Sequence, residues 1–208
     1  MTIVNGYAAL TDVKAALRMG AADTTDDTLL EAAIESASRM IDDDCDRVFF
    51  ASGTGVTRYF AAREDDYCPT DDLISISAVA IDYDGDGVYE TSIESTSYRT
   101  DPPNNIAGGR AWPTTGLVAI DGQGFYFPVD DEDDLLVAVT GNYGFASAVP
   151  AEIKQACIIQ SLRNFKRLDS PLGVAGFGDM GAVRVSRTDP DVFASIRRYK
   201  RFGGIGVA

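Results

Sequence analysis

The sequence predicts a mixed α+β fold, with helices at both ends of the chain and a block of strands between them. Near each end of the 208-residue chain, apolar residues recur with a helical period. Between about residues 55 and 145, short runs rich in Val, Ile, Tyr, Thr and Phe alternate with Gly, Pro, Asp and Asn. We therefore expect a helical bundle of residues 1–50 and 146–208, with an antiparallel β domain of residues 51–145 inserted into it.

Two helices are predicted in the N-terminal part. Thr11 is a good N-cap for a short first helix that ends before Gly20. A longer second helix is expected to begin at residues 25–27 and to end near Asp46. Helical spacing assigns five residues to the buried stripe of this second helix: Leu30, Ile34, Ala37, Ile41 and Cys45.

The last turn of the second helix is crowded with acid. It contains Asp42, Asp43, Asp44 and Asp46. The C-terminal end of a helix carries a partial negative charge, so carboxylates are unfavourable there. We expect these side chains to lie in water, or to meet a cation or a basic partner.

The central block contains six candidate strands, which are joined by turn-forming residues. The candidates are Val56–Ala61, Ile74–Tyr83, Val88–Ile93, Ser97–Arg99, Leu117–Ala119 and Leu135–Thr140. Asp84-Gly85-Asp86-Gly87 separates the second candidate from the third and indicates a hairpin turn.

Two further helices are predicted in the C-terminal part. Val149-Pro150-Ala151-Glu152 places Pro at the first helical position, and the helix is expected to run to Ser170-Pro171. A last helix opens at Asp189-Pro190-Asp191. Its predicted inward residues are Val192, Phe193, Ile196 and Tyr199. Its end is strongly basic, with Arg197, Arg198, Lys200 and Arg201.

The charge is unevenly distributed along the chain. There are 18 Lys and Arg against 32 Asp and Glu, a net charge of −14. Residues 1–149 carry −19 of this and residues 150–208 carry +5. This uneven charge favours head-to-tail stacking of copies, or docking of the basic part on another acidic surface. Alternatively, the two parts balance each other's charge inside one fold. The acidic excess argues against a general nucleic-acid binder and against binding to an anionic membrane.

The chain contains no His, which excludes Ser-His and Cys-His pairs and His zinc sites. Cys45, Cys68 and Cys157 show no paired spacing, so no disulfide framework or thiolate zinc site is predicted. No signal peptide and no membrane helix is predicted. We expect a soluble protein made in a reducing cytoplasm.

Three motifs allow more than one interpretation. Asp82, Asp84 and Asp86 alternate as in a calcium loop, but the twelfth position of the loop, normally a bidentate Glu, is Ile93. A hairpin turn with solvated Asp side chains is the alternative.

Gly176–Gly181 fits GxGxxG, but a helix precedes it, which favours a connector or interface loop over dinucleotide binding. The acid run is either a solvated strand entry or a negative wall facing a polyanion. It comprises Asp130, Asp131, Glu132, Asp133 and Asp134.

The order of segments resembles the head–tail connector (adaptor, or head-completion) proteins of long-tailed bacteriophages. The resemblance lies in both helical ends. It comprises Leu10-Thr11-Asp12-Val13-Lys14, Leu29–Asp42 leading to Cys45-Asp46-Arg47-Val48-Phe49, Val149–Cys157 and Lys166–Gly178.

The resemblance implies a structural virion protein with no catalytic residues and no cofactor. Such adaptors form a ring, usually twelve-fold, below the portal, extend the DNA channel and receive the stopper or tail. The protein would then reside in the virion neck, assembled in the host cytoplasm, with DNA only passing by.

The same resemblance makes the C-terminal segment the expected contact with the portal. That contact would use Arg197, Arg198, Arg201 and Phe202. The loop 173–181 is expected to meet a neighbouring subunit or line the channel through Val174, Phe177 and Met180. The acid run 130–134 would face the channel or solvent. The alternative function is a non-enzymatic calcium-binding β module with helical flanks, and an enzyme ranks third.

Overall fold

The computed structural model describes residues 3–103, 112–122, 124–129, 134–169 and 189–201. The chain divides into two compact units. The first combines Met1–Arg47 with Val149–Ala208, and the second is Val48–Ala148. In the described residues the first unit holds the helices and the second a six-stranded antiparallel sheet, so the fold is mixed α+β.

The first unit is assembled from helices that come from both ends of the chain. The helices are α1 (Leu10–Leu17), α2 (Asp27–Cys45), α3 (Ala151–Lys166) and α4 (Pro190–Ile196). Short 3-10 turns follow α3 at Arg167–Asp169 and α4 at Arg197–Tyr199. Helix α3 packs against the three other helices. The predicted stripe of α2 is confirmed, since all five residues are fully buried.

Three details of the predicted helices are wrong. Helix α1 starts at Leu10 with Ala9 as N-cap, because the Asp12 carboxylate accepts the Ala9 backbone N–H at 3.0 Å and no side-chain cap is needed. Pro150 is the N-cap of α3, not its first helical residue, because its ψ of 144° is extended. Phe193 is 45% exposed, because the short α4 buries only Val192 and Ile196.

The second unit is built on one long, bent strand. The strands are β1 (Val56–Phe60), β2 (Tyr67–Ile81), β3 (Thr91–Ile93), β4 (Tyr98–Asp101), β5 (Thr114–Ala119) and β6 (Val137–Tyr143). Their order is β1-β6-β2-β5-β4, with β3 paired to β2. The first part of β2 pairs with β5 and the remainder with β6.

Strand β2 begins seven residues before the predicted Ile74. Pro69, Asp71 and Asp72 indicate a break in the sequence, but the sheet absorbs them through a register shift between Pro69 and Leu73. Farther along the sheet, a Cβ on Gly141 would lie 2.2 Å from the Ser75 carbonyl oxygen. Only glycine therefore permits this close approach of β6 to β2.

Candidate interaction surfaces

The basic 3-10 turn Arg197–Tyr199, which we call the C-terminal turn, is attached to α3 by a polar network. The Arg198 guanidinium forms an ion pair with the Glu152 carboxylate and donates to the Tyr199 hydroxyl at 2.8 Å. That hydroxyl donates to Glu152 Oε2 at 2.9 Å. Burial raises the pKa of Tyr199, while backbone and Arg198 hydrogen bonds lower the pKa of Glu152. The predicted docking residue Arg198 is therefore engaged within its own chain.

The residues around this network have different surroundings. Arg197 is exposed and forms no ion pair with any residue that the structure describes. The Lys200 ammonium lies 4.9 Å from the centre of the Phe193 ring. The Arg201 backbone N–H donates to the Cys45 carbonyl at 2.8 Å, which attaches the segment to the end of α2. Phe202 lies outside the described residues.

One carboxylate at the end of α2 is satisfied inside the first unit. Asp42 accepts a hydrogen bond from the Tyr7 hydroxyl and forms an ion pair with Arg39 at 3.1 Å. Burial raises the pKa of Asp42 despite these partners. The neighbouring Asp43 and Asp46 are exposed to water. The last turn of α2 thus places one carboxylate against a cation, Arg39, and others in solvent.

The Asp82 loop joins β2 to β3 and is closed by its own side chain. Both carboxylate oxygens of Asp82 accept backbone N–H groups, from Gly85 and Gly87, each at 2.8 Å. Burial raises the pKa of Asp82, but these donors together hold it below its usual value. The oxygens of Asp82, Asp84 and Asp86 lie within 4.8 Å of one another.

The geometry of this loop fits a hairpin better than a calcium loop. Ile93, at the position of the bidentate ligand, pairs with Val79 in the sheet. Asp84 and Asp86 are exposed, while Asp82 is buried and already has two donors.

Tyrosines gather at the end of the sheet beside this loop. The rings of Tyr59 and Tyr89 lie 4.9 Å apart, and those of Tyr83 and Tyr126 lie 5.4 Å apart. The Tyr89 hydroxyl donates to the Leu135 carbonyl at 2.5 Å, and that of Tyr83 donates to the Tyr126 carbonyl at 2.8 Å. We call these five residues the tyrosine end.

The tyrosine end is absent from the predicted sites, because its members are far apart in sequence. The pairing of Phe60 with Val137 and of Val137 with Ile81 brings the ends of β1, β6 and β2 together. The only signal in the sequence is the recurrence of Tyr and Asp around the hairpin.

Several predicted residues lie outside the described ranges, namely Val174, Phe177, Met180, Phe202, Asp130, Asp131, Glu132 and Asp133. The GxGxxG motif also lies there. Asp134 is described and is exposed. Within the described ranges, no helix is both long enough and apolar enough to cross a membrane.

The division into units changes the interpretation of the charge. The second unit contains 17 Asp and Glu against four Arg, a net charge of −13. The first unit is left with −1, because its acidic N-terminal segment folds with the basic C-terminal one. The ion pair between Asp12 and Lys154, at 2.8 Å, joins the two segments directly. The positive and negative charges therefore nearly cancel within the first unit, whereas the second unit stays strongly acidic.

No protein-family model and no curated protein matches this sequence. Two solved structures contain chains of similar fold. One is the neck of an empty GTA particle computed with C6 symmetry, at 17% identity and a TM-score of 0.59. The other is the virion of a native gene transfer agent (GTA) particle, at 15% identity and a TM-score of 0.60. Each match covers 99% of this chain and 95% of the other, so the shared fold includes both units.

Proposed function

We propose that this chain is a structural protein of a phage-like virion neck, and within it a head–tail connector of the adaptor type. The single observation that carries the proposal is the fold shared with a neck chain over nearly the full length of both. In this role the protein forms a ring, twelve-fold as in phage adaptors, below the portal. The ring extends the DNA channel and receives the stopper or tail.

The charge distribution supports passage of DNA without retention. Affinity for DNA comes mainly from neutralisation of phosphates by Lys and Arg. The second unit has 17 Asp and Glu against four Arg, and it has no Lys. We propose that the acid run 130–134 of this unit faces the channel or solvent. An acidic wall repels the duplex weakly and lets it slide.

The C-terminal turn supports docking to the portal. Arg197 is exposed on a segment that the Arg198–Glu152–Tyr199 network and the Arg201–Cys45 hydrogen bond hold in place. A charge on a held segment binds with little loss of side-chain and backbone freedom. We propose Arg197 as the main charged contact, with Arg198, Arg201 and Phe202 beside it.

The remaining assignments follow from the same role. We propose that loop 173–181 contacts a neighbouring subunit or the channel through Val174, Phe177 and Met180. We assign the chain no catalytic function and no cofactor, in keeping with a sequence without His and with three buried thiols. Its place is the virion neck, after assembly in the host cytoplasm.

Electron microscopy and portal binding test the proposal. Full-length protein is mixed with portal rings from the same genome, and bound protein is measured by sedimentation and imaged for a ring on the portal. We expect Arg197→Glu to weaken binding about tenfold or more. Arg18→Glu is the matched control, because Arg18 is exposed in the same unit and the charge change is identical. Absence of portal binding by the unmodified chain contradicts the connector role.

A further inference from the structure

We infer that the tyrosine end of the second unit is a subunit interface, and that its occupant is the C-terminal end of α3 in a neighbouring copy of this chain. The inference rests on the proposed ring and adds to it the two surfaces that meet. By the α3 end we mean Lys166, the last residue of α3, together with Arg167 and Leu168 of the 3-10 turn that follows it.

The tyrosine end has the character of a protein-binding surface. Tyr59 is 49% exposed, Tyr126 is 59% exposed and Leu135 is 54% exposed. Their neighbours hold them in place, through the two ring pairs and the two hydroxyl bonds to main-chain carbonyls. Tyrosine is enriched at interfaces because a large apolar ring carries a polar end, and a ring already held loses little freedom on binding.

The charge around these rings selects a basic occupant. Asp84 and Asp86 are exposed on the loop between Tyr83 and Tyr89. The unit that carries them has a net charge of −13. An apolar or acidic partner would leave these carboxylates unpaired on contact, whereas Lys or Arg would pair with them and Arg would also stack on the rings.

The end of α3 has the complementary character. Lys166 and Arg167 are exposed, and neither forms an ion pair with a residue in the described part of the chain. Arg163, one turn earlier, is by contrast bound to Asp189 at 2.8 Å. Leu168 follows and is 60% exposed. Two exposed cations beside an exposed leucine complement the acidic side chains beside exposed rings.

The two surfaces differ, so their contact is heterologous. A heterologous contact repeats from copy to copy and closes into a ring when the rotation permits. A second copy therefore satisfies both the chemistry of the tyrosine end and the geometry that a connector needs.

Cross-linking between copies tests the inference directly. Equal amounts of unlabelled and ¹⁵N-labelled full-length protein are assembled at low salt and treated with a carbodiimide, which joins a carboxylate to an amine in contact. We expect mixed-label peptides that join Asp84 or Asp86 to Lys166. Cross-links found only within one copy overturn the inference, as does a protein that assembles without this cross-link or stays monomeric with and without portal rings.

Charge reversal gives an independent test. We expect Asp84→Lys with Asp86→Lys to weaken self-association about tenfold or more, and Lys166→Asp with Arg167→Asp to do the same. Mixing the two variants should restore assembly, because each then meets an oppositely charged surface. Asp43→Lys with Asp46→Lys is the matched control, since it makes the same charge change at exposed positions of the first unit.

Two further outcomes decide the matter. Failure of the mixture to assemble, while the control variant assembles normally, overturns the inference. Unchanged assembly of both reversed variants also overturns it. Portal binding is read separately: a chain that forms the predicted cross-links but does not bind portal rings refutes the connector role and leaves the interface standing.

Discussion

Truncation of Tyr199 tests how firmly the C-terminal turn is attached to the first unit. The side chain is only 6% exposed, so Tyr199→Ala removes a buried aromatic ring together with its hydroxyl. Loss of a buried aromatic ring costs about 3–5 kcal/mol of unfolding free energy. This is a large part of the stability of an ordinary domain.

Two milder variants separate the ring from its polar partners. Tyr199→Phe keeps the ring and loses the bond to Glu152, whose side chain is 49% exposed and regains water. The expected cost is about 0.5–1.5 kcal/mol. Arg198→Ala removes an ion pair whose two side chains are 36% and 49% exposed, and should cost less than about 1 kcal/mol because solvent screens it.

The assay combines urea unfolding with amide hydrogen exchange. Because the chain has two compact units, urea unfolding alone does not report on one contact, so exchange of the Arg201 amide, which donates to Cys45, is measured to follow this attachment. We expect protection of that amide to fall most in Tyr199→Ala and least in Arg198→Ala. Equal losses for the Ala and Phe variants of Tyr199, or the largest loss in Arg198→Ala, would refute the reasoning.

Three other predictions follow from buried groups. Burial raises the pKa of Cys45 to about 11 and of Cys68 to about 12, so Ellman's reagent at pH 8 should react with no thiol until urea unfolds the chain. Gly141→Ala should destabilise the sheet by about 1–3 kcal/mol in thermal unfolding, because its Cβ meets the Ser75 carbonyl. Calorimetry should detect no heat of calcium binding, since the Asp82 oxygens already accept two N–H groups; a saturable signal lost in Asp82→Asn would contradict this.

Local patterns predicted the helices better than the sheet. The stripe of α2 follows from spacing alone, because one amphipathic helix must bury one face. The start of β2 was missed because Pro69 normally ends a strand, and only the pairing with β5 shows that a register shift accommodates it.

The predicted sites depended on contacts that spacing cannot show. Arg198 has the charge expected of a docking residue, but its partner Glu152 lies 46 residues earlier in the sequence. Only the packing of the C-terminal turn against α3 shows that the two side chains meet. The tyrosine end was missed for the same reason, since Tyr59 and Tyr89 meet only through strand pairing. The two parts of the chain do differ in net charge. Dividing the chain at residue 149, however, separates the acidic N-terminal segment from the basic C-terminal segment with which it folds.

The first unit is closed by two segments that the whole second unit separates. During synthesis, the apolar stripe of α2 leaves the ribosome at least 100 residues before α3, so it waits about 5–20 s for its partner. The contiguous second unit can fold in that interval. The basic end of α3 and the C-terminal turn emerge after the whole second unit, so a nascent chain carries the acidic second unit before these cations. Chain order therefore exposes the acidic surface of the proposed interface before the cations that would bind it.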